Sequence, residues 1–300
     1  MRMKIEGRGV IAIEWTRVLD YLSLAKPELT LLSVLTAVAG YCLGAGGSVH
    51  PGILLSVAAG TGMVGGGAGA LNQYMERRFV SLMKRTERRP LPAGRLLPVE
   101  ALTFGTFLSI AGIVYLGLAT NVLTAFLAAV TSVTYLFLYT PLKRITPWST
   151  LVGGIPGALP PVMGWTAARN AAEPGAWILF GILFLWQMPH FLSLAWLYRD
   201  DYKSAGYRLL TVLDTSGERT SRHVLAATIG LLPVSLMLSV TGTLGWVYAA
   251  GSFSLGCLFL IPALRLAGRR TNAGARQLFI ASLAYLPLLM AMMAVDRLIS

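Results

Sequence analysis

Nine apolar stretches, each about 20 residues long and nearly free of charge, leave this chain few places to fold other than a lipid bilayer. They run over approximately 29–47, 52–75, 98–118, 121–140, 148–167, 174–197, 223–242, 245–264 and 276–295. In hydrocarbon every backbone N–H and C=O must be satisfied within the protein, so spans of this kind form helices. Charged residues make up only 13% of the 300, against about a quarter in a soluble domain, and mean hydropathy is +0.65. Those values exclude a soluble enzyme, a disordered chain and, despite a net charge of +12, a nucleic-acid binder. The expected fold class is all-α: a polytopic membrane protein of nine transmembrane helices. The fifth span is the least regular, because Pro156, Pro160 and Pro161 interrupt it among glycines.

The basic residues orient the spans. With nine crossings, 23 of the 25 lysines and arginines fall on one side, and only Arg169 and Arg297 on the other. Cytoplasmic loops carry such an excess, which predicts a cytoplasmic N-terminus and an outer C-terminus in the inner (plasma) membrane. Nothing at the N-terminus has a signal-peptide shape, because Glu6, Glu14 and Asp20 interrupt it. Residues 11–27 mix Trp15, Val18, Leu22 and Leu24 with Glu14, Arg17 and Asp20 at helical spacing, as in a helix lying on the membrane surface. A solvated leader is the alternative. The domain reading is therefore an interfacial N-terminal segment over 1–28 and one nine-helix domain over 29–300. Cys42 and Cys257 stand apart without His or Cys neighbours, which argues against a thiol metal site or disulfide framework.

Two cytoplasmic loops, 76–97 and 199–222, are longer than twenty residues, and long loops in a compact fold are usually functional or disordered. Asn72 and Glu76 sit four residues apart, on one face of the second span, where it enters a loop carrying Arg77, Arg78, Lys84, Arg85, Arg88 and Arg89. An amide and a carboxylate suit a hard cation such as Mg²⁺, and arginines grip phosphate oxygens in pairs. A positive-inside anchor accounts for the same residues equally well. Asp200 and Asp201 stand beside Arg199 and Lys203 at the end of the sixth span, where a solvated helix end is the alternative. Tyr139 and Lys143 lie four apart after the fourth span, as a phenol and ammonium pointing together or as a snorkelling lysine beside an interfacial tyrosine.

Together these pieces form a pattern. Asn72-x-x-x-Glu76 followed by Met83-x-Arg85-Thr86-x-x-Arg89-Pro90-Leu91-Pro92 resembles the first motif of the UbiA superfamily of intramembrane prenyltransferases. Tyr139-x-x-x-Lys143 is similar to the motif after that superfamily's fourth helix. Tyr139-Thr140-Pro141-Leu142-Lys143-Arg144, Pro189-His190-Phe191 and Arg199-Asp200-Asp201-Tyr202 with Gly206 look like its heme-farnesylating branch, the protoheme IX farnesyltransferases or heme O synthases. The resemblance runs from about Lys26 to the last span. It implies a helical bundle with a central cavity open to the membrane and capped by the two acidic loops. It further implies farnesyl diphosphate and heme b as substrates, Mg²⁺ as cofactor, and a heme-A-forming or terminal-oxidase assembly enzyme as recipient of the product. By position, Asn72, Glu76, Asp200 and Asp201 match the metal-binding motifs, with Glu76, Lys143, Asp200 and Asp201 as catalytic residues. Asn72, Arg85, Arg89, Tyr139 and Lys143 match the diphosphate site.

One position departs from the superfamily. Its first motif continues to an Asp eight residues after the Asn, and Val80 stands there. Valine cannot ligate a metal. Three readings stay open: water and the second motif complete the coordination, Glu87 substitutes, or turnover is slow. Ser204, four residues after Asp200, replaces another acid and agrees with the heme branch.

His190 is the one ionisable side chain deep within a span, on the order of 15 Å in from Asp200. Such a residue is a functional candidate, and the resemblance sets it beside the heme; a histidine bonded across helices, freed by Pro189, is the alternative. Glycines 60, 62 and 65–67 fit close helix packing. No acid lies near a span centre, which disfavours an ion-coupled transporter. Prenylation of a quinone precursor is the competing activity within the superfamily.

Overall fold

The computed structural model describes residues 16–299; Trp15 and the rest of 11–15 lie outside them. All regular structure among the described residues is helical. A short helix α1 (16–24) leads into α2 (Pro27–Ala45), α3 (Pro51–Val80), α4 (Pro98–Ala119) and α5 (Val122–Val133). A π-helical turn, Thr134–Tyr139, joins α5 to the single turn α6 (Thr140–Leu142). Then follow α7 (Ser149–Arg169), α8 (Pro174–Leu197), the short α9 (Arg199–Ser204) and α10 (Leu210–Leu213), and α11 (Glu218–Val240), α12 (Trp246–Arg269) and α13 (Asn272–Ile299).

Eight of these helical segments have the length and apolarity of a membrane span. The fifth expected span is α7, 21 residues long but diluted by four glycines and three prolines. It does not need lipid-facing apolarity, because it runs through the protein. It packs on α2, α5 and α8, and most of its side chains are buried. Prolines are tolerated in such a helix because its neighbours cover the backbone groups they free. The approach of α7 to α2 is backbone on backbone: a Cβ on Gly164 would lie 1.8 Å from the Ala37 carbonyl oxygen.

Helix starts follow simple chemistry. Prolines open α2, α3, α4 and α8 at the first position, where the missing N–H costs nothing. Asn121 caps α5 by accepting from the Thr124 N–H at 2.9 Å. Buried Asp296 accepts from the N–H groups of Gly245 and Tyr248, tying the end of α13 to the start of α12.

α3 continues to Val80, five residues beyond its expected end, so Glu76 is still helical. α1 docks onto the following loop: Leu24 packs with Ala70, Leu91 and Leu96, Arg95 binds Asp20 at 3.0 Å, and Arg17 pairs with Glu100. Val18, Leu19 and Leu22 remain exposed on its other face.

Candidate active site

The two long loops and the end of α6 close one end of the bundle and enclose a polar chamber of about 130 Å³. Asn72 and Glu76 reach it from α3, Arg85 and Arg89 from the first loop, and Tyr139 and Lys143 from the π turn and its continuation. Tyr202 and Tyr207 line it from the second loop, and Lys26 from the junction of α1 and α2.

Every strong acceptor here holds a cation. Lys143 Nζ donates to both oxygens of Glu76 at 2.9 and 3.0 Å, and Tyr207 donates its hydroxyl to the same carboxylate at 2.9 Å. Lys26 Nζ donates to Asn72 Oδ1 at 2.5 Å, while Asn72 Nδ2 donates to Thr140 Oγ1 at 2.9 Å. Burial works against the Lys143 charge, but the Glu76 carboxylate more than offsets it and holds its pKa well above the usual range. Burial, with Lys143 nearby, pushes Lys26 down to about 7. Burial and Arg85 likewise lower Arg89, and burial beside Glu76 raises the Tyr207 phenol.

Arg85 donates to the Tyr202 hydroxyl at 3.2 Å and stacks 4.7 Å from the Tyr198 ring, joining the two loops. Arg208 N–H donates to the Lys143 carbonyl at 2.8 Å, which fastens the second loop to the end of α6.

A larger, mainly apolar chamber of about 220 Å³ lies deeper between the helices. Its wall includes Tyr135, Met163, Leu183, Trp186, Gln187, His190 and Phe191. Lys26 and Tyr139 line both chambers and so mark the passage between them. The π turn supports this geometry: it swings Tyr135 and Tyr139 inward with their rings 5.6 Å apart. Tyr139 lies on Gly153, where a Cβ would come within 2.6 Å of the ring.

The residues read from the sequence therefore divide. Asn72, Glu76, Arg85, Arg89, Tyr139 and Lys143 meet around one chamber, and His190 lines the other. Asp200 and Asp201 sit on α9 beside Tyr202 but are not part of the chamber wall; Asp200 is exposed and Asp201 half-buried. Glu87 is exposed. Val80, at the position of the motif Asp, is 3% exposed, lines the polar chamber, and packs with Met83, Ala205 and Tyr207.

Lys26 and Tyr207 were not singled out from the sequence. Tyr207 has no local signal, but Lys26 has one: a lysine before a proline at the mouth of a span. Its backbone is left-handed, with φ 48° and ψ 65°, a strained conformation for a non-glycine residue.

Asn72 and Glu76 present oxygen donors one helical turn apart, and each draws an ammonium group to hydrogen-bonding distance. One amide and one carboxylate oxygen are hard ligands of the kind Mg²⁺ takes, and the ion would have to share them with Lys26 and Lys143. No group of three His, Cys, Asp or Glu side chains converges among the described residues, so water or substrate oxygens would complete its shell.

The sequence profile of the UbiA prenyltransferase family matches residues 33–289. The chain is 45% identical to the protoheme IX farnesyltransferase of Solibacter usitatus (strain Ellin6076) over 287 residues, covering 93% of this chain and 98% of that protein. It is 46% identical to the protoheme IX farnesyltransferase of Salinibacter ruber (strain DSM 13855 / M31) over 277 residues, covering 92% and 98%. Its fold is similar to that of a solved digeranylgeranylglyceryl phosphate synthase, with TM-score 0.79, 16% identity and coverage of 95% and 100%. A UbiA homologue from Archaeoglobus fulgidus bound to DMAPP and Mg²⁺ matches with TM-score 0.64, 14% identity and coverage of 92% and 99%. The motifs, the two-chambered helical bundle and these relatives agree: the chain belongs to the UbiA prenyltransferase family.

Proposed function

We propose that this chain transfers a farnesyl group from farnesyl diphosphate to a vinyl carbon of protoheme IX, giving heme O. The acceptor follows from the 45–46% identity to protoheme IX farnesyltransferases, and one observation of the structure supports the prenyl diphosphate. Four basic side chains, Lys26, Arg85, Arg89 and Lys143, surround a chamber whose single carboxylate among the described residues is Glu76, and that chamber adjoins an apolar one. Such a pair suits a doubly charged head on a long hydrocarbon tail.

Lys143, Arg89 and Lys26 hold the diphosphate oxygens, and their charge stabilises the leaving group as the allylic C–O bond breaks. Asn72 and Glu76 keep the two ammonium groups aimed into the chamber. Asn72 and Glu76, joined by Asp200 and Asp201 from the second loop, would be the residues to hold Mg²⁺, which when bound would supply further positive charge to the departing diphosphate. The farnesyl cation forms next to Tyr139, at the passage, and the heme vinyl group attacks it. Water then adds to the resulting cation and a proton is lost, completing a hydroxyethylfarnesyl side chain. No protein nucleophile is required. His190 contacts the heme.

The enzyme sits in the inner (plasma) membrane with its N-terminus and polar chamber cytoplasmic, and delivers heme O to a heme-A-forming or terminal-oxidase assembly enzyme. The deciding experiment incubates membranes containing the protein with heme b, farnesyl diphosphate and Mg²⁺, and analyses extracted products by mass spectrometry. Heme O is the expected product. A prenylated quinone precursor in place of heme O, when both acceptors are supplied, overturns the proposal.

A further inference from the structure

His190 is held by more than its own helix. Its ring lies between Trp186, 5.1 Å away on α8, and Phe279, 5.0 Å away on α13, nearly parallel to both. Its Nδ1 is 2.8 Å from Ser282 Oγ. The same serine is gripped twice, because Trp186 Nε1 donates to its backbone carbonyl at 2.9 Å.

The hydroxyl has one hydrogen and two close neighbours. One is the Phe279 carbonyl oxygen at 2.6 Å, which can only accept. Were the hydrogen turned toward the histidine, two oxygens would face each other at that distance with no proton between them. The hydrogen therefore goes to Phe279, and Nδ1 must be the donor in its contact with Ser282. That leaves Nε2 as the ring's lone-pair nitrogen. Nε2 makes no hydrogen bond among the described residues, and the ring lines the apolar chamber.

We propose that Ser282 is a positioning residue: it fixes His190 in the Nδ1–H tautomer and presents the Nε2 lone pair to the heme iron. This inference rests on the heme-contact reading of His190. A lone pair can ligate iron but cannot donate to a heme propionate, so the tautomer selects which part of the substrate the histidine meets. A partner on the second ring nitrogen is how metal-binding histidines are generally oriented.

Two measurements test it. In purified protein with ¹⁵N-labelled histidine, His190 is assigned by comparison with His190→Gln, and its ring nitrogens report the tautomer near pH 7 without any change at Ser282. Protonated Nδ1 and bare Nε2 are expected; a protonated Nε2 overturns the proposal. Heme b is also titrated into wild type, Ser282→Ala and His190→Ala, reading the Soret band. Ser282→Ala is expected to mix the tautomers and weaken heme b binding about tenfold, with the KM for farnesyl diphosphate unchanged. Loss of heme binding in His190→Ala but not in Ser282→Ala removes the positioning role alone. Wild-type heme binding in His190→Ala removes the heme contact beneath it, and the proposal with it.

Discussion

Glu76 is a buried carboxylate whose energetics depend on Lys143 and Tyr207. Removing one partner of such a pair leaves a charge without compensation, which costs more than the pair contributes. Lys143→Ala is therefore expected to raise the KM for farnesyl diphosphate and also to lower the thermal stability of the purified protein. Arg89 has no carboxylate partner among the described residues, so Arg89→Ala should separate the two effects. Losing one charge-assisted contact costs about 1.5–3 kcal/mol, which is roughly a tenfold or greater rise in KM with heme binding and melting temperature unchanged. A normal farnesyl diphosphate dependence in Arg89→Ala would remove that residue from the site. Val80 sets a compromise at the same scale. Its side chain is buried against Met83 and Tyr207, so Val80→Asp gives up about 1.5–3 kcal/mol of apolar burial. The new carboxylate would face a chamber rich in cations. The expected result is a lower melting temperature together with a stronger dependence of heme O formation on Mg²⁺. An unchanged Mg²⁺ titration would show that the position does not reach the ion.

At the scale of elements, the π turn and the second loop decide whether the site assembles. Tyr139 rests on Gly153 of α7, with no room for a methyl group. Gly153→Ala should displace the ring from the passage between the chambers and reduce turnover, while the protein still inserts; full activity in that variant would make the contact dispensable. The second loop is fixed to α11 by Asp214, which accepts from Thr220 N–H at 2.8 Å and Thr220 Oγ1 at 2.9 Å. Burial alone would raise the Asp214 pKa, but these Thr220 and Ser216 bonds favour the charged form and hold it below the ordinary carboxylate range. A folded pKa below the unfolded one contributes stability that is present above the unfolded value. That contribution is lost as pH falls through the folded value. Asp214→Asn should thus be less stable than wild type at pH 7, by about 1 kcal/mol, the difference between hydrogen bonds to a charged and to a neutral acceptor, and the gap should close in acid. A gap independent of pH would assign the effect to packing.

At the scale of the whole molecule, the spacing of apolar stretches and the one-sided distribution of lysine and arginine carry the membrane fold. They follow from the cost of burying charge and bare backbone in hydrocarbon, which acts on each segment separately. The pairing of α2 with α7 was less legible. Gly40 and Gly164 are ordinary small residues in sequence, yet a Cβ at Gly40 would lie 2.0 Å from the Pro161 carbonyl oxygen. The same local logic explains which site residues could be read. Asn72 with Glu76 and Tyr139 with Lys143 are each one turn apart, so helix periodicity brings them together in advance. Lys26, Tyr207 and Ser282 are separated from their partners by 46, 131 and 92 residues, and no periodicity links them. Apolar length and charge asymmetry were thus enough to determine a multi-span helical membrane protein, and the resemblance of its short-range motifs to the UbiA superfamily pointed to prenyl transfer. Only tertiary packing decided that Lys26 sits between two chambers, that Val80 is buried, and that a serine on the last helix orients His190. The physical reason is that each of these depends on contacts between distant segments, whose geometry is set when the helices pack together.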